Sequence, residues 1–305
     1  MLSYVLRRLL SAIPTLFIIV TAAFFMMRVA PGGPFDQERT LEATVMANLN
    51  ATFGLDKPLW QQYMIYLGNL FKGDMGPSFI YRDIRVHEIL GEGLPVSMQL
   101  GGTALLLAVI VGSFLGTIAA LRQNSATDFG VIAIATFGIT VPNFVVAPVL
   151  SLVFAVTLSW LPAQGWGDWN QMILPVIALA LPQIAIVTRL IRGSMIEALR
   201  SDHVRTARAF GLPNRMVVVK HALRAAILPV VSYLGPAAAA LLTGSIVVEQ
   251  VFNLPGIGRY FVVGALNRDY TLVMGTVVIV ACFVVIFNLI VDVLYAVLDP
   301  RVRYD

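Results

Sequence analysis

The stretch Glu197–Pro229 reads EALRSDHVRTARAFGLPNRMVVVKHALRAAILP, and its pattern decides the fold. It is the heart of a polar island, Arg189–Arg224, with eight Lys/Arg against two acids, set between apolar runs of membrane length. Positive loops beside spans are retained in the cytosol, which places the island there. Met195, Ile196 and Leu199 continue an apolar stripe out of the preceding span. Asp202 is expected to cap a new helix over His203–Phe210, its carboxylate accepting the free amides of the first turn. Arg205 and Arg208 then share one side, with Val204, Ala207 and Phe210 towards another. Gly211 permits the left-handed turn that closes a helix, and Pro213 forbids its continuation. Asn214 starts a second helix, Arg215–Leu223. The pattern predicts a short, rigid elbow aimed at something outside the bundle. By spacing alone, an amphipathic hairpin lying on the membrane surface is the alternative.

The flanking sequence explains why the island stands out. Charged residues are 12% of the 305 and hydrophobic ones 58%, with a mean hydropathy of +0.82, which excludes an ordinary soluble domain. A bilayer core of about 30 Å needs about 20 helical residues. Stretches that meet this are 9–28, 95–121, 129–161, 172–191, 225–248 and 270–292, so an all-α protein of six transmembrane helices is expected. The pI of about 9.4 follows from basic residues beside these spans, and no nucleic-acid partner is needed to explain it. Six spans put both termini on the side of the island, with Arg7, Arg8, Arg301 and Arg303. The opposite side holds a long segment, 30–94, and the nearly uncharged 162–171. Such a length calls for helices of its own. Leu41, Val45, Leu49 and Phe53 form one stripe stopped by Gly54; Leu59, Tyr63, Tyr66, Leu67 and Leu70 form a second, ended by Gly73. Arg7–Arg8 before the first span resembles the start of a cleaved signal, but the apolar core is too long for one.

Several spans carry prolines: Pro142–Asn143 in the third, Pro175 and Pro182 in the fourth, Pro229 and Pro236 in the fifth. Each removes a backbone donor that lipid cannot replace, so each is expected to interrupt its helix and to face protein or a watery path. Pro142 and Asn143 are the candidates for a translocation path; an inter-helix hydrogen bond is the alternative for Asn143. Gly112–Gly116 and Ala237–Ala240 permit close helix approach. Asp292, with Asn288 one turn earlier, is a candidate proton site or a contact to a neighbouring helix. Glu249 and Arg28 are expected at the membrane interface. No phosphate-binding loop G-x-x-x-x-G-K-[ST] occurs, and His87, His203 and His221 lack metal-ligand spacing. No catalytic residue, cofactor or metal is expected. The one cysteine, Cys282, reads as a buried thiol.

These residues together resemble the membrane-spanning permease subunits of binding-protein-dependent ABC importers. Those proteins carry E-A-A-x3-G, nine residues, then I-x-L-P in a cytosolic loop. Here Arg205, Thr206 and Ala207 stand at the three leading positions, Gly211 supplies the glycine, and His221, Ala222 and Leu223 stand at I-x-L, with Arg224 in place of the proline. Leu228–Pro229 follows five residues later. This departure is similar to the variant of the oligopeptide and dipeptide branch. RVAPGGPF at Arg28–Phe35, GDMGPSF at Gly73–Phe79, LPGIGRYFVVGALNRDY at Leu254–Tyr270 and YAVLDPRVRY at Tyr295–Tyr304 resemble the same branch, most closely its B-type subunits.

The resemblance implies a bacterial inner-membrane subunit with both termini cytoplasmic. It implies a second homologous permease, two ATPase subunits, an external peptide-binding protein and a peptide substrate as partners. It assigns residues 192–224 as the loop that couples to an ATPase, with contacts at Asp202, His203, Arg205, Thr206, Ala207, Arg208, Gly211 and His221. Dipeptide, murein-peptide, glutathione and nickel importers share this architecture and remain open as cargo classes. An ion-coupled carrier is the other class, for which a deep intramembrane acid and inverted repeats are expected.

Overall fold

A computed structural model describes residues 2–29, 51, 54–81 and 84–298. In chain order the helices are α1 (Leu2–Val29), α2 (Leu59–Phe71), α3 (Val86–Leu121), α4 (Ala126–Thr140) and α5 (Asn143–Leu150, continued by the π-helical stretch Ser151–Thr157). They are followed by α6 (Trp169–Arg200), α7 (Asp202–Ala209), α8 (Asn214–Met216), α9 (Leu223–Ala226), α10 (Leu228–Val251), α11 (Ile257–Leu266) and α12 (Tyr270–Leu298). A π-helical stretch, Val217–Ala222, joins α8 to α9. Five helices, α1, α3, α6, α10 and α12, are long and apolar enough to cross a membrane. The pair α4–α5 makes a sixth unit if counted as one span, but it is bent by 102°.

That bend interrupts the third span, 129–161, at Pro142, where an interruption is expected. Val141 (φ −84°, ψ 118°) and Pro142 (φ −64°, ψ 146°) are both extended. Proline lacks the N–H and its ring drives the preceding residue out of the helical region, so α4 ends and α5 starts afresh. The other prolines do not interrupt their helices as expected. Pro175, Pro182 and Pro236 lie inside continuous helices, and Pro229 occupies the first turn of α10, where its missing donor costs nothing.

Helices α3 and α6 overrun the lengths read from hydropathy by the most, and α1 and α12 overrun theirs as well. α3 starts at Val86 instead of residue 95, and α6 runs Trp169–Arg200 instead of 172–191. At 1.5 Å per residue α6 is about 48 Å long, so it leaves a bilayer of about 30 Å as a continuous rod. α3 and α6 form the most extensively packed pair, and the glycines explain how. A Cβ at Gly112 would lie 2.7 Å from Val187 Cβ, and one at Gly116 2.6 Å from the Thr188 carbonyl. Gly-x-x-x-Gly thus brings two backbones into contact where lipid gives no hydrophobic drive for association.

The second stripe of the segment 30–94 forms α2, and it packs on the bundle. Tyr63, Tyr66, Leu67 and Leu70 lie against Val20, Ala23 and Phe24 of α1 and Met274 and Val278 of α12. Gly54 and Gly73 are left-handed (φ +65° and +77°), as the stop signals require. The stripe Leu41, Val45, Leu49, Phe53 and the segments 30–35 and 299–305 lie outside the described residues.

Gly116→Val forces the α3–α6 contact apart and is expected to destabilise the fold by about 1–3 kcal/mol. Gly102→Val is the control, since a Cβ there meets nothing within 4 Å. Thermal unfolding of the purified protein checks this; equal losses in the two variants would contradict the packing argument.

Candidate functional site

The elbow of residues 201–226 is built on the overrun of α6. Ser201, extended at φ −69° and ψ 156°, is the N-cap of α7. Asp202 is therefore not the cap: it lies within the first turn, where its charge suits the positive helix end. Ser201 Oγ binds the Ala198 carbonyl at 2.5 Å and contacts His203 Nδ1 at 2.9 Å, so the cap hydroxyl is engaged behind the helix. At the other end the Gly211 N–H donates to the Arg208 carbonyl (2.9 Å) and the Leu212 N–H to the Ala207 carbonyl (3.4 Å). With Gly211 at φ +74°, these bonds form a Schellman closure.

Packing fixes which face is presented. Val204 and Ala207 are buried against Met195 and Ala198 of α6, Val217, Val218 and Ala222. Burying the Val204 side chain alone contributes about 1.5–3 kcal/mol. Asp202, His203, Arg205, Thr206, Arg208 and Gly211 are exposed, as a contact surface requires. Ala207 is 5% exposed and faces the bundle, holding the elbow to it instead of lying on the outward surface. His221 is half-buried in the π-helical stretch, and Pro142 and Asn143 lie at the α4–α5 bend, about 21 Å along α4 from Asp128. Phe210 does not share the buried side of Val204 and Ala207: it is 81% exposed.

Polar contacts clamp the rod beneath the elbow. Arg192 grips Asp128 with a two-point fork, Nε–Oδ1 2.5 Å and Nη2–Oδ2 2.7 Å, and the Asn124 N–H adds a third bond at 2.9 Å. Arg200 donates to Gln123 Oε1 at 3.1 Å and Arg189 to Thr136 Oγ1 at 2.8 Å. Asp128 is 1% exposed and escaped the sequence reading, although Ser125-Ala-Thr-Asp128 has the spacing of a capping box. Asp292 pairs with Arg8 of α1 at 2.8 Å, a contact between neighbouring helices. This pair lines a cavity of about 530 Å³ between α1, α10, α11 and α12.

At the far end from the elbow, two buried carboxylates organise the loops. Glu249 is fully buried. It accepts from Ser97 Oγ (2.6 Å) and from the amides of Gly258 (2.8 Å) and Arg259 (3.3 Å), which open α11. A Cβ on Gly256 would lie 2.3 Å from Glu249 Oε2, which is why LPGIGRY needs its glycine. Asp269 accepts from Ser78 Oγ (2.5 Å), the Phe79 amide (2.8 Å) and the Leu272 amide (3.0 Å). The separate signatures GDMGPSF and LNRDY thus meet in one place. Asp74 in the same loop is held below the usual carboxylate range, first by the Gly76 amide and, against burial, by the Arg85 guanidinium. Arg28 lies 3.7 Å over the Phe24 ring and donates to Gln62 Oε1, so it too is engaged by protein.

Asp128→Ala strands the Arg192 charge and is expected to cost about 3 kcal/mol. Arg192→Met added to it is expected to cost at least about 1 kcal/mol less than the sum of the two single losses. Denaturant unfolding checks this, and strict additivity would show that the pair does not act as a unit.

The sequence pattern described as "Binding-protein-dependent transport system inner membrane component" matches residues 112–304, and its N-terminal companion matches residues 1–83. The oligopeptide transport system permease protein OppB of Escherichia coli is 53% identical over 306 residues, covering 100% of both chains. OppB of Haemophilus influenzae is 51% identical with the same coverage. The dipeptide transport system permease protein DppB of Lactococcus lactis is 44% identical over 99% of this chain and 100% of its own length. Among solved structures, an amino acid ABC transporter described "with histidines" superposes with a TM-score of 0.50 at 18% identity. It covers 70% of this chain and 94% of that one, a likeness of fold. By full-length identity, matched pattern and helical architecture, the chain belongs to the binding-protein-dependent transport system inner membrane components and is a multi-pass permease subunit of an ABC importer.

Proposed function

We propose that the chain forms half of a peptide translocation path in the bacterial inner membrane and receives its energy through the elbow of α7. A second homologous permease completes the path, two ATPase subunits hydrolyse ATP in the cytosol, and an external peptide-binding protein delivers the cargo. Both termini face the cytoplasm, on the side of the basic island. Peptide as cargo is supported by the relatives, whose names span oligopeptide and dipeptide transport.

The observation that carries the coupling role is the elbow's construction. Its inward face is locked to α6 through Val204 and Ala207, while its outward face offers Arg205, Arg208 and Phe210. An exposed aromatic among arginines has the composition of an interface anchor. Because α6 runs unbroken from the membrane into the elbow, displacement of the elbow moves the span with it. Rigid helices transmit such shifts, whereas a flexible loop absorbs them. Asp202, His203, Thr206 and Gly211 are exposed on the same elbow, and His221 lies half-buried in the π-helical stretch behind it.

Gly211 provides the cleanest test. A Cβ there meets nothing within 4 Å, so substitution acts only through the backbone. At φ +74° a side chain costs about 1–2 kcal/mol, more for a β-branched one. In the reconstituted importer, Gly211→Val is expected to lower peptide uptake and peptide-stimulated ATP hydrolysis at least tenfold, while Gly211→Asn retains most of both. Wild-type rates in Gly211→Val would remove the elbow from the coupling route.

A further inference from the structure

Arg189 points the wrong way for a lipid-facing arginine. Its guanidinium donates to Thr136 Oγ1, whereas Arg192, three residues later, grips Asp128. The two partners are eight residues apart on α4, about 12 Å, while the two arginines are about 4.5 Å apart along α6. The side chains therefore diverge by the remaining ~7 Å, Arg192 towards the elbow and Arg189 towards the α4–α5 bend. A long cation next to lipid extends its head to the nearer watery edge, which here is the elbow end. Arg189 does the reverse, following the general lean of helical side chains towards the helix N-terminus. It is exposed, and among the described residues no carboxylate lies within ion-pair distance of it.

Thr136 and Thr140 are exposed one turn apart, between exposed Phe137 and Ile139, and each hydroxyl donates to a carbonyl of its own helix, which leaves the oxygen free to accept. At the bend beyond them the buried Asn143 carboxamide oxygen has no hydrogen-bond partner. A cation aimed at a hydroxyl with no carboxylate beside it implies water or a polar ligand at its remaining N–H groups. We propose that Arg189 is a cargo-binding residue of the translocation path, where it takes the terminal carboxylate of a passing peptide. The guanidinium is a planar fork that matches a carboxylate at two points. Every unmodified linear peptide has that group whatever its side chains, so one fixed cation serves cargo of varied sequence. Thr136 positions the fork, and the Thr140 hydroxyl oxygen accepts from the adjacent peptide N–H.

This rests on the reading of the cargo as peptide, and the test separates the two. In the full importer carrying Cys282→Ser, this chain's one native thiol is gone, and Thr140→Cys, with labelling read on this chain's band, reports on the space beside Arg189. Negatively charged thiosulfonate is expected to modify Thr140→Cys at least fivefold faster than a positively charged one, with the ratio falling towards one when Arg189→Gln is added and held by Arg189→Lys. Trialanine is expected to slow the modification and its C-terminal amide to leave it unchanged. A thiol at residue 140 that is unreactive in every nucleotide state, or a charge preference that ignores Arg189, would overturn the site. Equal protection by trialanine and its amide would overturn the carboxylate. Should the wild-type complex import no peptide while the charge preference persists, the peptide reading fails and the anion site stands.

Discussion

The α3–α6 backbone contact is the constraint on which the rest depends. Gly112 and Gly116 let α6 lie so close that neither helix can rotate or slide independently, because bulk on either side has already been removed. In lipid this matters more than it does in water. Apolar side chains gain little from leaving a hydrocarbon solvent, so close packing and polar contacts must supply the association. Once α6 is pinned, its extension beyond the bilayer becomes a lever. The Asp128–Arg192 fork fixes the lever where it emerges, and the buried side of α7 fixes the elbow to its tip.

The polar groups follow the same logic at both ends. Near the elbow, cations of α6 are matched to Asp128, Gln123 and Thr136, tying the α3–α4 turn and α4 to the rod. At the other end, Glu249 and Asp269 collect otherwise unpaired amides from loops far apart in sequence. A buried carboxylate is costly unless it accepts several hydrogen bonds, and each of these does. The bend at Pro142 divides α4 from α5 by 102°, where the other membrane-length helices among the described residues run unbroken.

Much of this was legible in the chain. The span count, the island and the glycine that closes α7 follow from hydropathy, charge and turn chemistry, since all three are local. The second stripe of the segment 30–94 was readable as a helix, but its packing on α1 and α12 was not. Proline was the poorest guide: Pro142 breaks a span while Pro175, Pro182 and Pro236 do not, because the outcome depends on what surrounds each freed carbonyl. Val204, Ala207 and Phe210 share a side by spacing, yet the first two are buried and Phe210 is exposed; helical spacing gives faces without saying which face meets the bundle. Asp128 and Glu249 were missed as organisers because their partners lie 64 and 152 residues away. The glycines of LPGIGRY gave the one hint, explained only once the carboxylate packed against them is seen.

The central claim is that the elbow meets the energy-supplying subunit. A photoreactive phenylalanine analogue at position 210, in the importer purified from native membranes, tests it most directly. Cross-linking predominantly to an ATPase subunit is the predicted result. Cross-links confined to the second permease or to lipid, with the ATPases present in the complex, would contradict it.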